Sequence, residues 1–481
     1  MEGLEEIKKL LEEHNQSHIL KYWNDLNETQ QKEFLVHLHS IDFKEALFLW
    51  QKAHEDLLKS HTIGPNDFGP IHLQIQKDLP PNVLEEYRKI GYEEISNNSV
   101  GVVVLAGGQG TRLGMPYPKG MCPIGIPSGK TLFQLQAERI QRLIVLAEMH
   151  TGRKGVIQWY LMTSEATDML IVKFLEQNNY FGLEKENVTL FKQANIPCFD
   201  LEGKILLEEK DAVATAPNGN GGLYQALKDQ GILEDMDRKG VKYVHVHSVD
   251  NILTKVADPV FLGKCIRDHI DFGMKVVRKR DPTEPLGIVV KINNENRVIE
   301  YNEIPKKSLR SDMVCNTGNI CNHFLNASFL RKICTDHLGD LKIHMAKKTV
   351  SQVGPEGDIV RPSSANCIKL EKFIFDVITF SQNLLIWQVE RSEEFSPIKN
   401  SDVSQKDCFA TAKRDLIALH TSWIEAMGGK CPAEGMEVSP LRSYDGEGLV
   451  DVGGREFTQF ELLSSEEEEK ENKKEKIILL S

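Results

Sequence analysis

The 481-residue chain is long enough for two or three domains, and its 41% hydrophobic and 27% charged residues are ordinary for a globular protein. A net charge of -12 excludes nucleic acid or an anionic membrane as the main partner, because both select basic surfaces. No apolar run reaches the roughly 18 residues of a membrane span, and the acidic amphipathic start lacks a signal peptide's basic and apolar regions. Nine cysteines stand singly without a CxxC pair, as expected of reduced thiols in a cytoplasmic protein with neither disulfides nor structural zinc.

Leu4, Ile7, Leu10 and Leu11 keep helical spacing, and Phe34, Leu35 and Leu38 repeat it. Prolines at 65, 70, 80 and 81 mark a linker before a short helix around Val83–Ile90. From about residue 96 the pattern changes. Ser99–Ala106 is a continuous β-branched run, the mark of a strand buried on both faces of a parallel sheet. A helix over 130–150, N-capped by Thr131, then a strand over 156–163, a helix near 166–177 and a strand over 188–193 follow. Residues 242–251 add a strand ending in Asp250. Short runs at 275–277, 287–292 and 297–301 read as antiparallel hairpins added to the sheet edge.

Alternation of this kind predicts an α/β protein with a three-layer, Rossmann-like, mostly parallel sheet. The expected division is a helical N-terminal region (1–95), the sheet domain (96–380), a small C-terminal domain (381–460) and an acidic tail (461–481). Alternate residues His245 and His247 share one strand face, where packed core histidines compete with a metal pair.

The stretch LAGGQGTRLGMPYPKG (105–120) places a glycine-rich loop directly after the first buried strand. In open α/β sheets, ligands bind outside the carboxyl ends of the strands. A dinucleotide fingerprint, G-x-G-x-x-G, fails because Leu113 stands at the third glycine and prolines delay the next helix. A Walker loop fails in GIPSGKT (125–131), where only three residues separate the two glycines. What remains is G-G-x-G-T-R-L-x5-P-K. Its amides can hold base and phosphate, and Arg112 and Lys119 supply two cations.

This loop resembles that of the eukaryotic UDP-N-acetylhexosamine (UDP-N-acetylglucosamine) pyrophosphorylases. Further similar motifs are APNGNGGLY (216–224), SVDN (248–251), TEPLGIVV (283–290), VIEYNE (298–303), NTGN (316–319), IKLEKFIFD (368–376) and EFSPIKN (394–400). One departure is visible. Asn218 stands where the family pattern has an acidic residue, so residue 218 receives no direct role.

The resemblance implies an enzyme that joins UTP to N-acetylglucosamine 1-phosphate, with N-acetylgalactosamine 1-phosphate as a second candidate substrate, releasing pyrophosphate. It implies Mg²⁺ or Mn²⁺ as cofactor, with Asp250 as metal ligand. Arg112, Lys119, Lys369 and Lys399 are the expected catalytic cations. Leu105, Ala106, Gly107, Gly108, Lys119, Gln193, Gly219, Asp250 and Lys369 are expected on the nucleotide. Asn220, Gly287, Glu300, Tyr301, Asn316 and Lys399 are expected on the sugar phosphate. Another sugar 1-phosphate, or nucleotide-sugar binding without chemistry, remain the alternative readings.

Overall fold

A computed structural model describes residues 3–61, 68–69, 71–301, 303 and 316–470. The linker prolines at 65 and 70, Cys315 and the tail beyond residue 470 lie outside the described residues. The chain forms two compact units. One comprises Met1–Asp67, Gln193–Ala226 and Asp336–Val377; the other comprises Phe68–Lys192, Leu227–Thr335 and Ile378–Ser481. These interleaved units do not follow the linear boundaries drawn from the sequence. The residues after 380, expected to form a separate small domain, share a unit with the central sheet.

The larger unit is built on β1 (Val100–Leu105), β2 (Gln158–Thr163), β3 (Val188–Lys192), β4 (Tyr243–Ser248), β5 (Phe272–Arg278), β6 (Ile288–Ile292), β7 (Glu295–Ile299), β8 (Thr317–Asn326) and β9 (Leu384–Gln388). With a short strand at Gln74–Ile75, the sheet runs Gln74–Ile75, β9, β5, β8, β4, β1, β2, β3. Neighbours are parallel except at β8, which runs against both β5 and β4. Every residue of β1 and β2 is buried, so both sheet faces are covered, as the apolar runs predict.

Helices α1 (Pro81–Ser96), α2 (Leu132–Thr151), α3 (Asp168–Gln177), α4 (Pro259–Arg267) and α5 (Phe409–Ala426) belong to the same unit. Ile95 of α1, Phe133 and Ile140 of α2, Leu175 of α3 and Phe261 of α4 join Val102, Trp159 and Phe324 in one apolar core. Thr131 caps α2, its hydroxyl accepting from the Gln134 amide at 3.3 Å.

β6 and β7 form the expected antiparallel hairpin, reaching the sheet through β8. The run at 275–277 is different. It lies within β5, a seven-residue interior strand between β9 and β8, because residues 272–277 are buried throughout, Lys275 included. Among the described residues, no helix is long and apolar enough to cross a membrane.

In the smaller unit, the helices Leu4–Glu13, Glu28–His39 and Phe43–His61 carry the predicted apolar stripes. Ile7, Leu11, Phe34, Leu35 and Leu38 pack there with Phe199, Ile343, Ile368 and Leu370. Short antiparallel ladders pair Asn195–Pro197 with Thr215–Pro217 and His344–Lys348 with Cys367–Glu371.

Candidate active site

From β1 the chain proceeds outward to β2 and β3, while β4 lies on the other side of β1. Strand order therefore reverses between β1 and β4, the place where open α/β sheets leave a crevice at their carboxyl ends. Leu105 pairs with Ser248 at the strand ends, so the glycine-rich loop and Asp250 leave the sheet side by side. Loop and carboxylate meet because of topology.

Within the loop, Leu105 and Ala106 are buried and Gly107 and Gly108 open to solvent. The Ser164 hydroxyl donates to the Gly107 carbonyl at 2.9 Å. Gly110 has φ +75°, and a Cβ there would come within 2.9 Å of the Tyr117 carbonyl oxygen, so no larger residue fits. A single 3₁₀ turn at Thr111–Leu113 stands where the dinucleotide fingerprint would need a helix to begin, and a second follows at Lys119–Met121. The rejected Walker-like lysine is structural. Lys130 is buried, its ammonium bonded to Glu138 (2.6 Å), Ser439 (2.9 Å) and Glu468 (2.8 Å).

Lys119 donates to Asp250 Oδ2 at 3.0 Å and to the Ile398 carbonyl at 3.1 Å. Ser248 Oγ donates to Asp250 Oδ1 at 2.8 Å, and the Asp250 carbonyl accepts from the Ile398 amide at 2.9 Å. Burial pushes the Asp250 carboxyl up, but Lys119, Lys399 and the Ser248 hydroxyl together hold it below the usual carboxylate range. The Lys399 ammonium lies 6.0 Å from the Phe395 ring centroid, and its backbone amide donates to the Asp407 carbonyl at 2.7 Å. Arg112 is exposed on the loop. Lys119, Asp250 and Lys399 are thus brought together.

Four other candidates cluster around the β6–β7 hairpin. The Glu300 carboxylate lies over Gly287, where an added Cβ would sit 2.9 Å from Oε1. Tyr301 follows, half exposed. The Gly287 carbonyl accepts from Asn319 at 2.8 Å, and the Asn316 carbonyl accepts from Lys279 at 2.9 Å.

Gln193, Gly219, Asn220 and Lys369 belong to the smaller unit. There Lys372 N donates to the Asn218 carbonyl and Gly221 N to the Lys372 carbonyl, both at 2.8 Å. A Cβ at Gly219 would fall 2.4 Å from the Lys372 carbonyl oxygen, so the two segments touch through backbone. Asn220 Oδ1 accepts from Ile374 N at 3.0 Å, which commits that oxygen to the fold. Lys369 lies 3.5 Å from the Glu371 carboxylate, and Gln193 is buried. Asn218 is buried against Gly222, where an added Cβ would fall 1.8 Å from its Oδ1.

His245 and His247 are packed core residues. His245 Nδ1 accepts from the Ala257 amide at 3.1 Å, leaving Nε2 to donate to Asn322 Oδ1 at 2.9 Å. Burial lowers His247 to about 4. Among the described residues, no group of three or more His, Cys, Asp and Glu is placed to hold a metal. Asp250 alone suits a magnesium ion held mainly by phosphate and water, since such ions need only one or two protein carboxylates.

Sequence reasoning missed Ser248 as the second anchor of Asp250 and the Ile398 carbonyl as the second acceptor for Lys119. Both stand inside motifs singled out for a neighbour, but a backbone carbonyl leaves no signature in a sequence.

A mostly parallel α/β sheet with this loop and lysine–aspartate pair at its switch point defines a nucleotide-binding type of α/β protein. Comparison with known proteins is more specific. A family model described as UTP–glucose-1-phosphate uridylyltransferase matches residues 60–462. The human UDP-N-acetylhexosamine pyrophosphorylase-like protein 1 is 39% identical, over 97% of this chain and 98% of its own. The UDP-N-acetylglucosamine pyrophosphorylase of Saccharomyces cerevisiae is 36% identical, over 94% of this chain and 98% of its own. The crystal structure of the uridine diphosphate N-acetylglucosamine pyrophosphorylase from Trypanosoma brucei superposes with a TM-score of 0.80 at 28% identity, covering 94% of this chain and 95% of that one. The chain belongs to the UTP–glucose-1-phosphate uridylyltransferase family and, within it, to the UDP-N-acetylhexosamine (UDP-N-acetylglucosamine) pyrophosphorylases.

Proposed function

We propose that the protein is a magnesium-dependent uridylyltransferase making UDP-N-acetylglucosamine and pyrophosphate from UTP and N-acetylglucosamine 1-phosphate. The observation that carries this reading is the Lys119–Asp250 pair beside Lys399, set under a glycine-rich loop at the sheet's switch point. A phosphate oxygen of the sugar phosphate attacks the α-phosphorus of UTP in line. The bond from that phosphorus to the bridging oxygen breaks, and pyrophosphate leaves with the electron pair. Both reactants are anions, and the monophosphate is nearly a dianion at neutral pH, so catalysis consists of positioning and charge neutralisation.

Lys119, already held by two acceptors, can exchange Asp250 for a phosphate oxygen. Arg112, exposed on the same loop, takes the charge that develops on pyrophosphate. Lys399 holds the attacking phosphate. Asp250, kept ionised by its neighbours, is the residue to hold a magnesium ion. Such an ion, when bound, neutralises phosphate oxygens and polarises the α-phosphorus.

Backbone around Leu105–Gly108 contacts the uridine. Gly287, Glu300, Tyr301 and Asn316 contact the sugar; a carboxylate over a glycine leaves room for a ring whose hydroxyls Glu300 can accept.

The test is pyrophosphate release with UTP and Mg²⁺ against N-acetylglucosamine, N-acetylgalactosamine and glucose 1-phosphates. Turnover is expected to be fastest with an N-acetylhexosamine and to stop when the metal is chelated. Glucose 1-phosphate as best substrate would overturn the sugar assignment. Tight UTP binding without release from any sugar phosphate would overturn the reaction.

A further inference from the structure

The Ile398 carbonyl and Lys399 belong to a strap, residues 394–399, with no regular ladder to hold it in register. It forms an isolated antiparallel bridge at Asn251 and Pro397, and Pro397 has no N–H to give. Backbone bonds flank that bridge, from Ile398 N to Asp250 O at 2.9 Å and from Ile252 N to Ser396 O at 3.3 Å. The Asn251 side chain supplies what is missing. Its Nδ2 donates to the Glu394 carbonyl at 2.7 Å and its Oδ1 accepts from Ser396 N at 2.9 Å.

At the start of the strap the Glu394 side chain, 1% exposed, turns inward. Its Oε2 accepts from Lys275 Nζ at 2.5 Å, and the same ammonium reaches Asp258 Oδ2 at 2.6 Å. Lys275 is fully buried on β5, a rigid strand in the body of the sheet. Three charged groups are withdrawn from water although none belongs to the site residues named above. Such a cluster brings little net stability, because desolvation consumes most of the Coulomb gain. What it does fix is position.

We infer that Glu394 is a positioning residue, locking the 394–399 strap to Lys275 of the sheet so that the Ile398 carbonyl and Lys399 stay in register with Lys119 and Asp250. A strap slipped by one residue would turn Lys399 to the opposite side, since side chains alternate in extended chain. Ser396 and Ile398 add further grips, through Asp415 at 2.8 Å and the apolar cluster of Leu113, Ile252 and Leu416. Those grips oppose lifting of the strap, whereas Glu394 opposes sliding along it. The catalytic part of this inference rests on the function proposed above.

Glu394→Ala cuts the lock and leaves Lys275 paired one-to-one with Asp258, so no buried charge is orphaned. Its kcat is expected to fall by about tenfold to a hundredfold, the scale of small misplacements, with KM for UTP within about twofold. In hydrogen exchange, the Ser396 and Ile398 amides should lose protection while Val102 and Val103 in β1 keep theirs. Glu394→Gln, which keeps an acceptor within reach of Lys275, should restore most of both. Should the Ala variant fail to fold, Glu394→Asp keeps the charge but is one methylene short, and is read in the same way.

Unchanged kcat and unchanged exchange at 396 and 398 would overturn the inference. So would loss of protection spread evenly into β1, the mark of a merely structural role. Wild-type protein without turnover would overturn the reaction instead, while the exchange comparison would still decide the anchoring.

Discussion

A carboxylate buried at a strand end takes up a proton unless cations stand beside it, and Asp250 has two. Replacing Lys119 by methionine keeps the bulk of the side chain and removes the charge. Asp250 then retains Lys399 and the Ser248 hydroxyl, so the stability loss should stay below the ~3 kcal/mol of a fully broken buried pair. In the proposed reaction the phosphates, in contrast, lose one of their neutralising cations. Lys119→Met and Asp250→Asn are expected to lower kcat by about a hundredfold or more, the range for lost electrostatic stabilisation at a reacting group. Steady-state pyrophosphate release and a thermal melt on each variant check this, and turnover retained in both would discard the mechanism. At this scale the sequence was informative about charge. Lys119 and Asp250 stand in motifs whose residue types point to charge, whereas Lys399 is singled out only by the resemblance; the structure brings the three together. Asn220 was less readable, since only coordinates reveal that its Oδ1 is occupied by the Ile374 amide.

Elements are legible where burial writes a pattern. β1 and β2, buried on both faces, are unbroken apolar runs, and α2 announces itself through Thr131. β5 reads as shorter than it is because Lys275 interrupts its apolar run, and β9 was missed because it follows a break in the pattern. Helix α1 crosses α4 at glycines, a contact with no periodicity to betray it. A Cβ at Gly91 would come 2.3 Å from the Pro259 carbonyl oxygen, and one at Gly263 would come 1.8 Å from that of Tyr87. Neither obstacle is a flexible side chain. Gly263→Ala gains about 1 kcal/mol of helix propensity but must push two helices apart, a strain of roughly 1–3 kcal/mol or more. Urea titration is expected to report a net loss of stability. A gain would mean that the two helices can separate at the crossing without cost.

At the scale of the whole chain, the interleaved units were not legible, because the crossings near 193, 336 and 377 carry no Pro- or Gly-rich linker, and the glycines at 219–222 read as a binding motif. Buried histidines make a further whole-chain property. His245 and His247 on β4, His323 on β8 and His420 on α5 are all buried in the larger unit. Burial lowers His323 and His420 to about 3 and His247 to about 4, and holds His245 well below its ordinary value. An unfolded histidine titrates near 6.5, so below that pH the unfolded chain binds protons that the folded chain refuses. Their contribution to stability is therefore complete above the unfolded value and is lost as the pH falls toward the folded values. Each histidine should remove about 1.4 kcal/mol per pH unit within that window. Thermal melts are expected to be nearly flat from pH 8 to 7 and to fall steeply from pH 6 to 5. His323 supplies the control, since among the described residues neither ring nitrogen has a hydrogen-bond partner, and its ring stacks on Phe272 at 5.3 Å. His323→Leu removes one proton from the difference and should make the acid limb shallower by a single histidine's share. Equal slopes in variant and wild type would show that the acid sensitivity arises elsewhere.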